Sequence, residues 1–422
     1  MRIEKTRLLL KPDPKKVLLR PLEPSSENQK INIIARILNL SESDVKAEWE
    51  QVRDEFKTRH RNTEDFFLKR FNQIASYVPG EKEISRERKL LTGAAFSMEY
   101  SLESAALFNP SIVWHPDQTG LPEGSSRYIL SLRAVGEGHI SSIVFRTGVI
   151  DSRGKINVED AGRFVSFPVS SSNPVSDSEE ISEYEIFYNE EIPLAERIIF
   201  PGSPAESNGV EDARFTEFRE EDGSVTYYAT YTAYNGMRIQ SQLISTKDFL
   251  HFRINKILGS EARNKGMALF PRKVNGQYVM LSRQDNENNY IMYSDDMLFW
   301  NSKKLLSQPE FTWELVQQGN CGSPLETEKG WLVLTHGVGP VRKYCIGAML
   351  LDINDPGKVI GRLKDPLIAA DEEEREGYVP NVVYTCGSII KGDDLIIPYA
   401  VSDYAASFAK VNLTALLNEL TS

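Results

Sequence analysis

The chain has 422 residues, 41% of them hydrophobic and 10% aromatic, a globular composition that excludes disordered and collagen-like classes. Its 49 Lys and Arg against 60 Asp and Glu leave a formal charge of −11, which argues against nucleic acid as the main partner, since neutralising a phosphate backbone needs a broad basic face. A single small anion is a different matter, because two or three convergent cations hold one phosphate inside an otherwise acidic protein. The length fits two average domains, or one large all-β domain with an appendage.

The N-terminal stretch MRIEKTRLLLKPDPKK has a basic start but lacks the apolar run of roughly 7–15 residues that a secretory signal needs. No segment approaches about 18 consecutive apolar residues, so no transmembrane helix and no membrane partner are expected. Residues 24 to about 92 read as helical. Ile31, Ile33, Ile34, Ile37, Leu38 and Leu40 give an apolar stripe, and Ser41 with Glu42 and Asp44 supplies an N-cap with carboxylates in the first turn. Val45, Trp49, Val52 and Phe56 follow at helical spacing, then Phe66, Phe67, Phe71 and Ile74, and Pro79-Gly80 closes that segment. The expected division is therefore a helical extension over residues 1–94 and a second domain over 95–422.

From Ala94 onward, short runs rich in Tyr, Val, Ile and Leu are separated by Gly, Asn, Asp and Pro, an all-β texture. Five segments share a strand-like core: Tyr128–Arg133, Tyr227–Thr232, Tyr278–Arg283, Trp331–His336 and Leu395–Ala400. Three of the intervals between them approximate the ~40–50 residues of a propeller blade, and the longer first interval has room for one blade with an insertion. A second repeat, Ser245 to Phe252 and Ser294 to Trp300, places a serine, an acidic turn and an aromatic where a blade's outer hairpin would be. The expectation is an all-β, five-bladed β-propeller whose inner strands are these five segments. A pair of sandwiches is the competing architecture.

Five polar segments beside these strands are candidates for chemistry. Asn208-Gly-Val-Glu-Asp-Ala-Arg214 places two carboxylates beside an arginine, either a proton-handling site or an exposed acidic turn. Ala262 to Arg272 carries several cations at a glycine turn, either an anion cradle or solvated surface. His336 ends an apolar strand before glycine-rich backbone, with Tyr344 soon after. The run Asp371 to Asn381 reads mostly as a solvated loop, and Asp403 follows the last repeated strand, with Asn109 and Arg133 as early counterparts. The chain has no nucleophile elbow, Walker loop, zincin motif or dinucleotide fingerprint, and no His or Cys ligand set for a metal.

Together these segments resemble glycoside hydrolase family 130, the β-mannoside phosphorylases and β-mannosidases built on a five-bladed propeller. The likeness runs from about Phe108 to Asp403. Gly209-Val-Glu-Asp-Ala-Arg214 is similar to the family's Gly-x-Glu-Asp-Pro-Arg stretch, with Ala213 for the usual proline. Leu269 to Lys273, His336-Gly-Val338, Gly347 to Pro356 and Gly377 to Val383 also match, in the family's order. The resemblance implies that Asp212 is the general acid, acting through the mannose 3-hydroxyl. It implies that Asn109, Arg133, Arg214 and Asp403 contact the sugar, and that Lys265, His336 and Tyr344, with Arg253 as a fourth, bind phosphate. It further implies inorganic phosphate as co-substrate without another cofactor or metal, and a mannose-containing oligosaccharide as partner. A homo-oligomer is compatible with it.

Retention of Lys265, His336 and Tyr344 favours inverting phosphorolysis, yielding α-mannose 1-phosphate, over inverting hydrolysis, which needs a second carboxylate to activate water. Hydrolysis stays open, as does a non-catalytic carbohydrate-binding propeller. The three cysteines, Cys321, Cys345 and Cys386, have no metal-like spacing, and their odd number fits a reduced, cytoplasmic setting.

Overall fold

The structure, a computed structural model, describes residues 3–80, 83–170 and 183–422. Positions 1–2 of the N-terminal stretch and 81–82 of the expected helical region lie outside the described residues. The chain forms two compact units. One comprises Asp13–Glu103 with Arg163–Ser166, the other Met1–Pro12, Ser104–Gly162 and Phe167–Ser422. A single boundary near residue 95, drawn from sequence texture, differs from this division at both short excursions.

The first unit holds four α-helices, Glu27–Leu38, Glu42–Phe56, Thr63–Ile74 and Arg86–Ala95. Ser26, Ser41 and Ser85 cap three of them, each side chain accepting from a backbone N–H in the first turn. The buried stripe is narrower than the sequence suggests. Ile34, Ile37, Val45, Trp49, Phe67, Phe71 and Ile74 are inside, whereas Ile31 and Leu40 face solvent. An antiparallel strand pair, Val17–Pro21 with Ser97–Ser101, completes the unit.

Among the described residues the second unit is β-sheet almost throughout, and most of its strands run as five consecutive antiparallel meanders. Meander 1 runs Ala106–Trp114, Ser126–Val135, Ser141–Ile150 and Ile156–Val158. Meander 2 runs Gly209–Arg219, Val225–Tyr234, Ile239–Thr246 and His251–Lys256. Meander 3 is Ala268–Leu269, Tyr278–Ser282, Asn289–Ser294 and Lys304–Ser307. Meander 4 is Gln317–Asn320, Gly330–Val338, Tyr344–Leu351 and Val359–Arg362. Meander 5 is Val383–Tyr384, Asp394–Val401 and Ala405–Asn412, and its fourth strand is Ile3–Lys5 from the other end of the sequence. Meanders 1 and 2 belong to one 11-stranded sheet, joined through a single parallel register, Gly209 opposite Ser141.

Apolar side chains alternate onto the sheet faces and pack between neighbouring meanders. Ile129 and Phe145 of meander 1 share a cluster with Phe215 and Ile244 of meander 2. Leu243 of meander 2 meets Met280 and Met292 of meander 3, and Val279 of meander 3 meets Val333 and Met349 of meander 4. The last cluster joins Leu332 of meander 4, Ile397 of meander 5 and Phe108 of meander 1. The outer-hairpin aromatics Phe252 and Trp300 are buried, and Asp248 and Asp296 accept turn N–H groups as their positions imply.

One detail of the expected architecture needs correction. The five repeated segments occupy second strands, each hydrogen-bonded on both sides, so they are interior to their sheets rather than innermost. The first strands of meanders 1, 3, 4 and 5 hold edge positions, and that of meander 2 is paired on its far side only at Gly209. Repetition marked the second strands because double-sided pairing and burial demand the most uniform apolar pattern.

Candidate active site

At the starting ends of the first strands, all five meanders contribute to one cavity of about 340 Å³. Two of those strands carry a β-bulge there. Pairing slips between Phe108 and Ser111 in meander 1, and between Glu211 and Arg214 in meander 2. The extra residues include Asn109 (φ 48°) and Asp212 (φ 53°), in the left-handed region that Asn and Asp tolerate better than other non-glycine residues. Each bulge turns a polar side chain toward the cavity, and the two meet: Asn109 Nδ2 donates to Asp212 Oδ1 at 2.7 Å. Asp403, from the turn after the second strand of meander 5, lines the same cavity and also has positive φ (49°).

Arg133 and Arg214 fix the carboxylates. Arg133 Nη1 lies 3.3 Å from Asp212 Oδ1, its Nη2 donates to Glu211 at 2.7 Å, and its Nε donates to Ser141 Oγ at 2.9 Å. Arg214, 1% exposed, donates to the backbone carbonyls of Asp212 (2.9 Å) and Cys321 (2.8 Å) and to Tyr384 Oη (3.0 Å). These contacts set the charge pattern. Burial alone pushes the Asp212 carboxyl up, but Arg133, Arg214 and Lys265, with the Asn109 hydrogen bond, outweigh it and hold Asp212 well below the usual carboxylate range. Burial, then the neighbouring Asp212 charge, pushes Asp403 up to about 6. Glu211 is raised for the same two reasons, against the opposing field of Arg133.

Lys265, Arg283 and Arg342 also line the cavity. Among the described residues none of the three has a carboxylate within ion-pairing distance. Arg283 is only 8% exposed, and Arg342 lies over the Tyr344 ring at 5.8 Å. The lining thus carries four cations against two carboxylates, in a chain that is acidic as a whole. Of the three only Arg283 is buried, and an unpaired buried cation is costly unless an anion completes it. His139 and Tyr378, rings 5.9 Å apart, form an aromatic pair in the same lining, with Tyr378 59% exposed. No cluster of His, Cys, Asp or Glu among the described residues could hold a metal ion.

A family profile described as glycoside hydrolase family 130, β-1,4-mannooligosaccharide phosphorylase, matches residues 172–422. The chain belongs to this family. A 1,2-β-oligomannan phosphorylase from a Thermoanaerobacter species is 37% identical over 204 residues, 47% of this chain and 66% of that protein. A β-1,2-mannobiose phosphorylase from Listeria innocua is 32% identical over 231 residues, 53% of this chain and 63% of that protein. The chain therefore spans just under two thirds of the length of these curated relatives. A solved structure of the Listeria innocua β-1,2-mannobiose phosphorylase with β-1,2-mannobiose superposes with a TM-score of 0.55 at 21% identity. It covers 75% of this chain and 92% of that one, a likeness of fold.

Of the residues that the family 130 resemblance singled out, Asn109, Arg133, Asp212, Lys265, Tyr344 and Asp403 line the cavity. Three do not. Arg214 lies behind Asp212, joined to its backbone. His336 is fully buried behind Arg283, outside the lining. Arg253 is a correction: it sits on the outer strand His251–Lys256, bonded to Glu183 (3.1 Å) and Glu185 (2.8 Å), away from the cavity. Its strand is paired on both sides, and Arg253 stands in register with Glu185 of the neighbouring strand Glu183–Phe187.

Sequence reasoning missed Arg283, Arg342, Gln317 and His139. The signal was present in the repeats: Arg133, Arg283 and His336 all end the repeated segment, and His139 and Arg342 each follow six residues after such an end. Both lie in matching tight turns after a glycine, Gly136 and Gly339, with left-handed residues at the tip.

Proposed function

We propose that this protein is an inverting phosphorylase of β-mannosides, releasing α-mannose 1-phosphate. The observation that carries the reading is the trio Lys265, Arg283 and Arg342, unpaired with carboxylates and lining the cavity that holds Asp212. Hydrolysis has no use for three such cations, whereas an anionic nucleophile must be held by them. An oxygen of phosphate forms a bond to the anomeric carbon as the glycosidic C–O bond breaks. The leaving oxygen takes a proton from Asp212 relayed by a sugar hydroxyl. In the free protein Asp212 is ionised by the surrounding cations. A phosphate dianion beside Lys265 offsets one of these fields, so that the carboxylate takes up from solvent the proton it then passes to the leaving oxygen. Asn109, Arg133 and Asp403 are assigned to the sugar, and Arg214 to holding the Asp212 turn.

We also read the five meanders as five propeller blades around a channel. Two observations support this. The core clusters link neighbours in a closed order, meander 5 back to meander 1. A second cavity of about 400 Å³ is lined at the other ends of the first strands, by Trp114, Arg219, Arg272, Glu326 and Ile389 among others, again one or more from every meander. All three cysteines are free and buried, which fits the cytoplasm as the compartment we assign.

One observation favours hydrolysis as the second reading. Asp403 puts another carboxyl in the cavity, at a pKa where it is largely ionised above neutrality and able to activate water. Initial rates on β-1,2-, β-1,3- and β-1,4-mannobiose, with and without phosphate, separate the two. Phosphorolysis requires phosphate for any turnover, and a rate indifferent to phosphate rejects it.

A further inference from the structure

We infer that Glu374 and Lys5 are positioning residues: they pin the loop 371–381 to the turn Ser402-Asp403, and so hold Asp403 and Tyr378 on the cavity wall where the sugar is bound. That Asp403 and Tyr378 serve the sugar rests on the phosphorylase reading above, while the clamp stands on geometry without it.

The donor count closes on Lys5. Its ammonium carries three N–H donors and meets three acceptors, the Ala369 carbonyl (3.2 Å), Asp371 Oδ2 (2.8 Å) and Glu374 Oε2. Glu374 is the hub. Its Oε2 also accepts from the Asp371 N–H at 3.3 Å, and its Oε1 accepts from the Tyr399 hydroxyl at 2.6 Å. Its backbone carbonyl accepts from Ser402 Oγ at 2.5 Å. One residue thus joins three parts of meander 5: the edge strand Ile3–Lys5, the second strand Asp394–Val401 and the turn that follows it. The Lys5 and Glu374 side chains are 28% and 13% exposed, so the pair is less screened than an ion pair on open surface.

The turn needs that support. Ser402 (φ 50°) and Asp403 (φ 49°) are successive non-glycine residues in the left-handed region, a conformation that persists where the surroundings over-determine it. Ser402 is fully buried. Its carbonyl accepts from the Val379 N–H at 3.0 Å, and its own N–H donates to the Val382 carbonyl at 2.8 Å. Loop and turn lie so close that a Cβ on Gly377 would stand 2.5 Å from Ser402 Cβ and 2.6 Å from the Ser402 carbonyl oxygen. Tyr378 follows that glycine and Asp403 follows that serine, and both line the cavity, whereas Glu374 and Lys5 do not. The loop and the turn therefore form one unit, and Glu374 fastens it to the sheet.

The first test reads the full chain without ligand by hydrogen–deuterium exchange. Lys5→Met and Glu374→Leu should each speed exchange in peptides covering 374–382 and 401–404 by about tenfold, as loss of a charge-assisted bond implies, with meanders 2 and 3 at wild-type rates. Unchanged exchange in those peptides, or acceleration spread over every meander, overturns the inference.

The second test is kinetic. Glu374→Leu should raise the mannoside KM by about 10- to 100-fold, the loss expected when a binding group shifts by about 1 Å, and hold the phosphate KM within a few-fold. Lys5→Met should act in the same direction, and Lys5→Arg, which keeps the donors, should stay near wild type. The double variant Lys5→Met/Glu374→Leu should cost little more than Glu374→Leu alone, because both changes cut one clamp. Lys5→Met, at a partly exposed side chain, keeps both tests decisive if Glu374→Leu does not fold. A mannoside KM that does not move, or a phosphate KM that rises equally, overturns the inference. Were wild type indifferent to phosphate, the phosphorylase reading would fail and the exchange measurement would still decide the clamp.

Discussion

Arg283→Met separates what the cavity does for binding from what it does for stability. The guanidinium is 8% exposed, lacks a carboxylate partner, and its Nε has no hydrogen-bond partner among the described residues. Burying such a charge costs several kcal/mol, offset here by the His336 bond, worth about 1–2 kcal/mol. Methionine of similar length removes the charge, so the variant should be more stable than wild type by about 1–2 kcal/mol in phosphate-free buffer. That is a rise of a few degrees in melting temperature at most for a chain of this size. Phosphate narrows the difference. At 100 times its Kd, phosphate stabilises wild type by about 2.7 kcal/mol. Losing a charge-assisted bond of about 1.5–3 kcal/mol weakens binding roughly 10- to 150-fold, leaving the variant about 0.3–1.4 kcal/mol at the same concentration. Thermal melts with and without phosphate read both effects. A variant that melts well below wild type without phosphate, yet keeps the full phosphate shift, would refute the reasoning.

Asp212→Asn keeps the bulge and the Asn109 contact but removes the transferable proton, and kcat on an unactivated mannobiose should fall by about 10²–10⁴-fold. Near-normal turnover in that variant rejects Asp212 as the acid. Asp403 has a folded pKa of about 6 against about 3.9 unfolded, so protonation favours the fold. Asp403→Asn should therefore match wild type below about pH 4 and gain stability through pH 4 to 6. Above pH 6 it should be up to about 3 kcal/mol more stable, as urea unfolding at both ends of that range would register. Arg253→Ala should leave phosphate kinetics unchanged, because its guanidinium is engaged by Glu183 and Glu185; a raised phosphate KM would return it to the site. Tyr378→Ala should raise the KM for the mannoside and not that for phosphate, if the exposed ring with His139 carries the leaving sugar.

The parts of this architecture that repeat were legible in sequence. The five second strands announced themselves because each is paired on both sides and largely buried, so similar apolar runs recur, and Ser41 was readable as a cap because the cap is a local hydrogen bond. The Asp212 turn was readable too, through its paired carboxylates and arginine. What did not show was anything set by tertiary approach. Ile3–Lys5 joins the last meander across the whole length of the sequence, which no local pattern encodes. Arg283 directly follows the strand Tyr278–Ser282 and Arg253 lies on the strand His251–Lys256, so sequence places both in the same kind of apolar-polar run. One faces a cavity bounded by glycines at 266 and 319, the other a row of glutamates, and only the neighbours distinguish them. His336 was noticed as a strand-end histidine, but its burial behind Arg283 depends on a contact between meanders 3 and 4.

The claim that an anion, not water, attacks the sugar is tested most directly by the product. ³¹P and ¹H NMR of the protein acting on the β-mannobioses in phosphate buffer should show α-mannose 1-phosphate appearing in step with the released sugar. Free mannose at the same rate with and without phosphate, and no new phosphorus signal, would contradict it.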